Sequence, residues 1–215
     1  MLKAVLWDVD GTLVATKDLY LESYRRALAP YAGKLLTDEE LLALRPLSEL
    51  HVLKSQAGAA YQECIAAFSR HYAELHATHF GGVYDGIADV LSELRQRGVR
   101  NGIVTGKSRS SWQITIAEVE LGEFDVVVVD DDVASPKPDP EGIRAALAAL
   151  DVAPAHAVYV GDSPGDMEAA LAAGTRAAAA MWSKNDAWRE RFLQRTAGMS
   201  EIILLDHPRD LLTTF

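Results

Sequence analysis

The 215 residues contain a single cysteine, Cys64, so no disulfide can form within the chain. Its flanks, Gln62-Glu63 and Ile65-Ala66, bring no cation that would favour a thiolate, and a packing role is expected. No apolar run approaches the roughly 18 residues that a membrane-spanning helix needs. The opening MLKAVLWDVD lacks the separate basic, apolar and small-residue regions of a secretory signal, because its short apolar run ends in acids. A cytoplasmic location with no membrane partner is therefore expected. Clustered basic residues are missing too: 21 Lys and Arg stand against 31 Asp and Glu, a formal charge of −10. That balance argues against a nucleic-acid partner, since backbone phosphates are held by grouped lysines and arginines. An acidic chain can still take a small anion where a metal and a few cations invert the local field. Neither a repeat of about 20 to 50 residues nor a low-complexity tract is present.

What is there is a rhythm. Short apolar runs at Ala4 to Trp7, Asn101 to Val104, Asp125 to Val129, Ala157 to Val160, Arg176 to Met181 and Ile202 to Leu205 read as buried strands. Helical patterns follow at Asp85 to Gln96, Ser110 to Leu121, Pro140 to Leu150 and Pro164 to Ala173, with Gly98, Gly122 and Gly174 as stop signals. Alternation of this kind predicts an α/β fold, a doubly wound parallel sheet whose ligands sit outside the carboxyl ends of the strands. The stretch from Thr16 to His79 breaks the rhythm with helical spacing and no strand. It reads as a helical insert, residues 16–80, in a core made of residues 1–15 and 81–215, with the Gly81-Gly82 pair suited to a hinge.

Four of the strand ends carry polar residues suited to chemistry. After the first comes Asp8-Val9-Asp10-Gly11-Thr12. In an extended chain residues i and i+2 share a face, so two carboxylates would stand together and ask for a cation, although a polar turn is an alternative. After the second, Thr105 and the Gly106 amide could hold phosphate oxygens, or Thr105 could cap a turn. Lys137 lies between Pro136 and Pro138, which restrain the backbone around a point charge; the bland reading is a solvated lysine, with Asp139 capping the next helix. Gly161-Asp162-Ser163-Pro164-Gly165-Asp166 places acids at a fourth end, where Ser163 and Asp166 also fit a capping box; Asp162 is not explained by that box.

Taken in order, these segments resemble the haloacid dehalogenase superfamily, whose motifs are Asp-x-Asp-Gly-Thr, a strand-end Thr or Ser, a Lys, and Gly-Asp-x-x-x-Asp. The insert resembles the cap of the phosphoglycolate phosphatase and β-phosphoglucomutase branch. The resemblance implies a Rossmann-like core and a Mg²⁺-dependent phosphohydrolase acting on a small phosphorylated metabolite. Asp8 would be the nucleophile that becomes an aspartyl-phosphate, and Asp10 the acid and base, with Lys137 assisting. Thr105, Gly106 and Lys137 would bind phosphate. Asp8, the backbone carbonyl of Asp10, and Asp162 would hold the metal, with Asp166 supporting them or Lys137. Arg45, in Arg45-Pro46-Leu47-Ser48-Glu49, would read the substrate. An acid at position 10 favours a phosphate ester over a haloacid or phosphonate. His71, His76 and His79 read as solvent-facing or hinge residues, since a hard metal prefers oxygen donors. A phosphomutase uses the same residues, and a phospho-accepting signalling receiver shares the acidic cluster but needs neither a second acid nor a cap. Phosphoglycolate, pyrophosphate, sugar phosphates and nucleotides all remain open as substrates, and no oligomeric state is specified.

Overall fold

In the computed structural model, which describes residues 1–44, 48–199 and 201–215, six parallel strands form one sheet in the order β3-β2-β1-β4-β5-β6. They are β1 (Ala4–Trp7), β2 (Arg100–Val104), β3 (Val126–Val128), β4 (Ala157–Gly161), β5 (Arg176–Ala180) and β6 (Ile202–Leu205). The α/β expectation is met. Chain order reverses beside β1, so the carboxyl ends of β1, β2 and β4 border the crevice where doubly wound sheets bind ligands.

Alternation of side chains divides the core between the two faces of the sheet. Val5, Trp7, Val158, Val160, Ala178 and Ala180 face one way, packing against α5 (Ile87–Gln96), α6 (Arg109–Ala117) and α10 (Asp210–Thr214). Ala4, Leu6, Ala157, Tyr159, Ala177 and Ala179 face the other, against α7 (Glu141–Leu150), α8 (Pro164–Ala173) and α9 (Asp186–Thr196). The alanine run of β5 has poor strand propensity, yet all four alanines are fully buried. Close packing of helices on both faces overrides propensity there.

Between β1 and α5 lie α1 (Lys17–Ala32), α2 (Asp38–Ala43), α3 (Glu49–Ala57) and α4 (Tyr61–His79), around a separate core that includes Leu19, Leu28, Leu53, Phe68 and Tyr72. Cys64 is fully buried in that core and its thiol is pushed up to about 11 by burial, in keeping with a packing role. The two chain crossings into this helical region pair with each other: the Ala15 amide donates to Gly82 (2.9 Å) and the Gly81 amide to Ala15 (2.8 Å). A side chain at 81 would meet the Ala15 carbonyl at 2.9 Å, so glycine permits the close approach.

Two local readings are corrected, and one helix was not anticipated. The helix expected to reach Leu121 stops at Ala117, and Gly122, at φ 72°, turns the chain five residues beyond. α9 has too few apolar residues to announce itself; Phe192 is buried and Leu193 exposed. His76 is not solvent-facing: it continues a stripe of rings at four-residue spacing on α4, with Phe68 to Tyr72 at 5.9 Å, Tyr72 to His76 at 6.1 Å and His76 stacked on Phe80 at 4.4 Å. No described helix is long and apolar enough to cross a membrane.

Candidate active site

Lys137 is the hub of the crevice. Its ammonium donates to Asp8 (2.8 Å), to Asp166 (2.7 Å) and to the Tyr159 hydroxyl (2.8 Å), while that hydroxyl donates onward to the carbonyl of Val104 (2.8 Å). Four strand ends and loops are tied through one cation. Burial alone would push the lysine towards its neutral form, but the carboxylates of Asp166 and Asp8 hold it charged well above the ordinary lysine range.

Asp166 reconciles two readings of its sequence. One oxygen completes the capping box, accepting from the Ser163 amide (2.9 Å) and hydroxyl (2.7 Å), while the other faces Lys137. Burial raises its pKa, but Lys137 and the Ser163 donors outweigh that and hold it below the usual carboxylate range. Asp8 and Asp162 are shifted the opposite way. For both, loss of water is the largest influence, opposed at Asp8 by Lys137 and at Asp162 by Lys184, with the Asp166 charge adding to the upward shift.

Carboxylate oxygens of Asp8, Asp162 and Asp166 all lie within 4.8 Å of one another. Two of the three are pushed towards protonation by their surroundings, so the cluster is short of positive charge, and its donors are all hard oxygens. That donor set fits Mg²⁺. Because Asp166 has both oxygens engaged, Asp8 and Asp162 are the better placed to ligate. The Gly11 turn leaves room for this: at φ 78°, a side chain there would stand 2.8 Å from the Asp162 carboxyl carbon.

Asp10 departs from the shared-face picture. The chain does not continue extended past Asp8 but folds back, with the amides of Thr12, Leu13 and Val14 all directed at the Val9 carbonyl. The Asp10 carboxylate consequently stands outside the three-acid cluster, accepting from Lys107 at 3.0 and 3.1 Å and from the Thr16 hydroxyl. Thr105, Gly106 and Lys137 do line one cleft, together with Asp130 and Ser135. Arg45 lies outside the described residues.

Sequence reading missed several participants. Lys107 directly follows Thr105-Gly106, and that place just past a strand end was its available signal. Lys184 pairs with Asp162, stacking 4.3 Å from the Trp188 ring, and its position four residues past a strand beside β4 was the available signal. Tyr159 gave none, being one more apolar-looking residue in a buried strand. The helical region contributes Tyr72, which receives a hydrogen bond from Lys107 (2.8 Å), and Glu49, whose amide donates to Gly106 (2.9 Å) and whose carboxylate accepts from Ser111 (2.9 Å).

The family model for haloacid dehalogenase-like hydrolases matches residues 5–180. The chain is 35% identical over 183 residues to a Bacillus velezensis protein named pyrophosphatase PpaX, covering 84% of this chain and 83% of that one. A Bacillus thuringiensis protein of the same name is 33% identical over 193 residues, 89% of each. Among solved structures, CbbY from Rhodobacter sphaeroides in complex with phosphate superposes with a TM-score of 0.80 at 26% identity, over 98% of this chain and 96% of that one. A candidate phosphoglycolate phosphatase from Lactobacillus plantarum gives 0.81 at 25% identity over the full length of both.

Proposed function

The chain belongs to the haloacid dehalogenase-like hydrolases, and from that premise we propose that it is a Mg²⁺-dependent phosphatase of small phosphorylated metabolites, working through an aspartyl-phosphate on Asp8. The observation that carries this reading is the gathering of Asp8, Asp162, Asp166 and Lys137 at the carboxyl ends of β1 and β4. Inorganic pyrophosphate heads the candidate substrates, because the relatives at 33 to 35% identity are named as pyrophosphatases. Phosphoglycolate follows on structural likeness.

In this mechanism the Asp8 carboxylate attacks phosphorus as the bond to the leaving oxygen breaks. Asp10 delivers a proton to that oxygen, then takes one from the water that cleaves the aspartyl-phosphate. Thr105, the Gly106 amide and Lys137 hold the remaining phosphoryl oxygens, and the Asp166 carboxylate keeps Lys137 aimed. Mg²⁺, held by Asp8, Asp162 and the carbonyl of Asp10, would supply charge against the oxygens of the transferring group. The helical region, residues 16–80, acts as a cap that excludes water and reads the leaving group, swinging about the Gly81-Gly82 crossing, with Arg45 assigned to substrate recognition.

The test is phosphate release from pyrophosphate, phosphoglycolate and hexose phosphates, with Mg²⁺ and with chelator, for the wild type and Asp8→Asn. Metal-dependent release that Asp8→Asn abolishes in a folded protein is expected. Turnover surviving that substitution refutes the mechanism, and isomerised hexose phosphate without release indicates a mutase.

A further inference from the structure

We propose that Lys107 is a positioning residue for Asp10, setting where that carboxylate stands against the leaving oxygen and linking its placement to the seating of the helical cap. The proposal rests on the acid role given to Asp10 above. Lys107 reaches both oxygens of Asp10 (3.0 and 3.1 Å) across 97 residues of sequence, so the carboxylate is fixed in orientation as well as in distance. The same ammonium donates to the Tyr72 hydroxyl (2.8 Å) and lies 4.6 Å from the centre of that ring. Tyr72 in turn bonds Thr115 of α6 (2.9 Å), so a cap residue is wedged between two core elements at the point where the lysine meets Asp10.

The lysine itself has almost no freedom. Its amide donates to the Thr105 hydroxyl (3.3 Å) and its carbonyl accepts from the Asp130 amide (2.8 Å), pinning both sides of its backbone. Its side chain is 1% exposed, whereas the Asp10 side chain keeps 27% exposure. One end of the pair is locked in the protein and the other still opens to the crevice. A buried lysine and carboxylate seldom add more stability than apolar residues of the same volume would. Holding a reacting group in place is what such a pair can do that an apolar pair cannot.

Leaving-group dependence separates positioning from mere structure. The series runs from nitrophenyl phosphates, whose phenolates depart without a proton, to phenyl phosphate, which needs one. The readout is kcat/KM, which reports the first phosphoryl transfer, for wild type, Lys107→Met, Tyr72→Phe, Asp10→Asn and the Lys107→Met/Asp10→Asn double variant. Lys107→Met is expected to lose about 10² to 10³-fold on phenyl phosphate, within the roughly 10² to 10⁴ that a placed acid is usually worth, and less than about tenfold on the most acidic nitrophenol ester. Tyr72→Phe should tilt the series the same way by a smaller factor, which keeps the proposal testable if Lys107→Met does not fold. The double variant should show no steeper dependence than Asp10→Asn, because both substitutions disable one device. Equal loss across the series, or an additive double variant, overturns the role of Lys107. If Asp10→Asn itself leaves the dependence unchanged, the acid role of Asp10 fails and takes this proposal with it; a steepened Asp10→Asn beside an unaffected Lys107→Met overturns this proposal alone.

Discussion

Replacing Lys137 by methionine keeps much of the side-chain volume and removes the one ammonium that Asp8 and Asp166 share at 2.8 and 2.7 Å. Breaking a buried ion pair from one side typically costs about 3–5 kcal/mol, because the abandoned charge keeps its desolvation penalty. The two pairs draw on a single cation, so the losses overlap and the same range applies to both together. For a chain of this size about 2–4 °C of Tm accompanies each kcal/mol, giving a drop of about 6–20 °C. The sign with pH is set by the carboxylates. In the wild type Asp166 is depressed, so its contribution is present above the unfolded carboxylate pKa and lost as pH falls through the folded value. Without the lysine, Asp8 and Asp166 face each other uncompensated and take up protons more readily folded than unfolded, so the variant gains relative to wild type on acidification. Thermal unfolding in chelator at about pH 8 and about pH 5 should therefore show a wide gap at the first and a narrower one at the second. Added Mg²⁺ should narrow the gap at about pH 8, by returning positive charge to the cluster. A variant within about 1 kcal/mol of wild type in chelator at about pH 8 would refute the assignment of Lys137 as the counter-charge of the site.

Three further predictions concern other parts of the site. Glu49→Gln should flatten the pH dependence of stability: burial lifts Glu49 from 4.5 to about 7, so its contribution is complete below 4.5 and is lost as pH rises through 7. The difference corresponds to at most about 3 kcal/mol, and parallel wild-type and variant curves between those limits would contradict it. Asp10→Asn should let phosphoenzyme accumulate in rapid-quench experiments, and finding none would count against its role as hydrolytic base. Gly11→Ala forces a side chain into a φ of 78° beside Asp162, costing about 1–2 kcal/mol in backbone strain alone. The Tm increase on adding Mg²⁺ should shrink along with it; an undiminished increase would show that this turn does not shape the metal site.

Local signals were enough to reveal the sheet. Each strand is a short apolar run, and strand, helix and glycine stop are properties of neighbouring residues, which is why Ala4–Trp7 and Pro164–Ala173 were legible to the residue. The strand-end motifs were legible for the same reason: Asp8, Thr105, Lys137 and Asp162 each announce themselves within a few residues. Which charge meets which was decided by tertiary structure alone. Lys137 meets Asp8 across 129 residues and Lys107 meets Asp10 across 97, distances over which no spacing rule operates. The fold-back at Gly11 sends Asp10 to Lys107 while Asp8 faces the acid cluster, although the two acids are neighbours but one in sequence. His76 and Lys107 look like polar surface residues until the ring stripe of α4 and the seating of Tyr72 on α6 enclose them. Burial is a sum over partners from distant parts of the chain, and an ammonium surrounded in that way changes from a solvated charge into a fixed one.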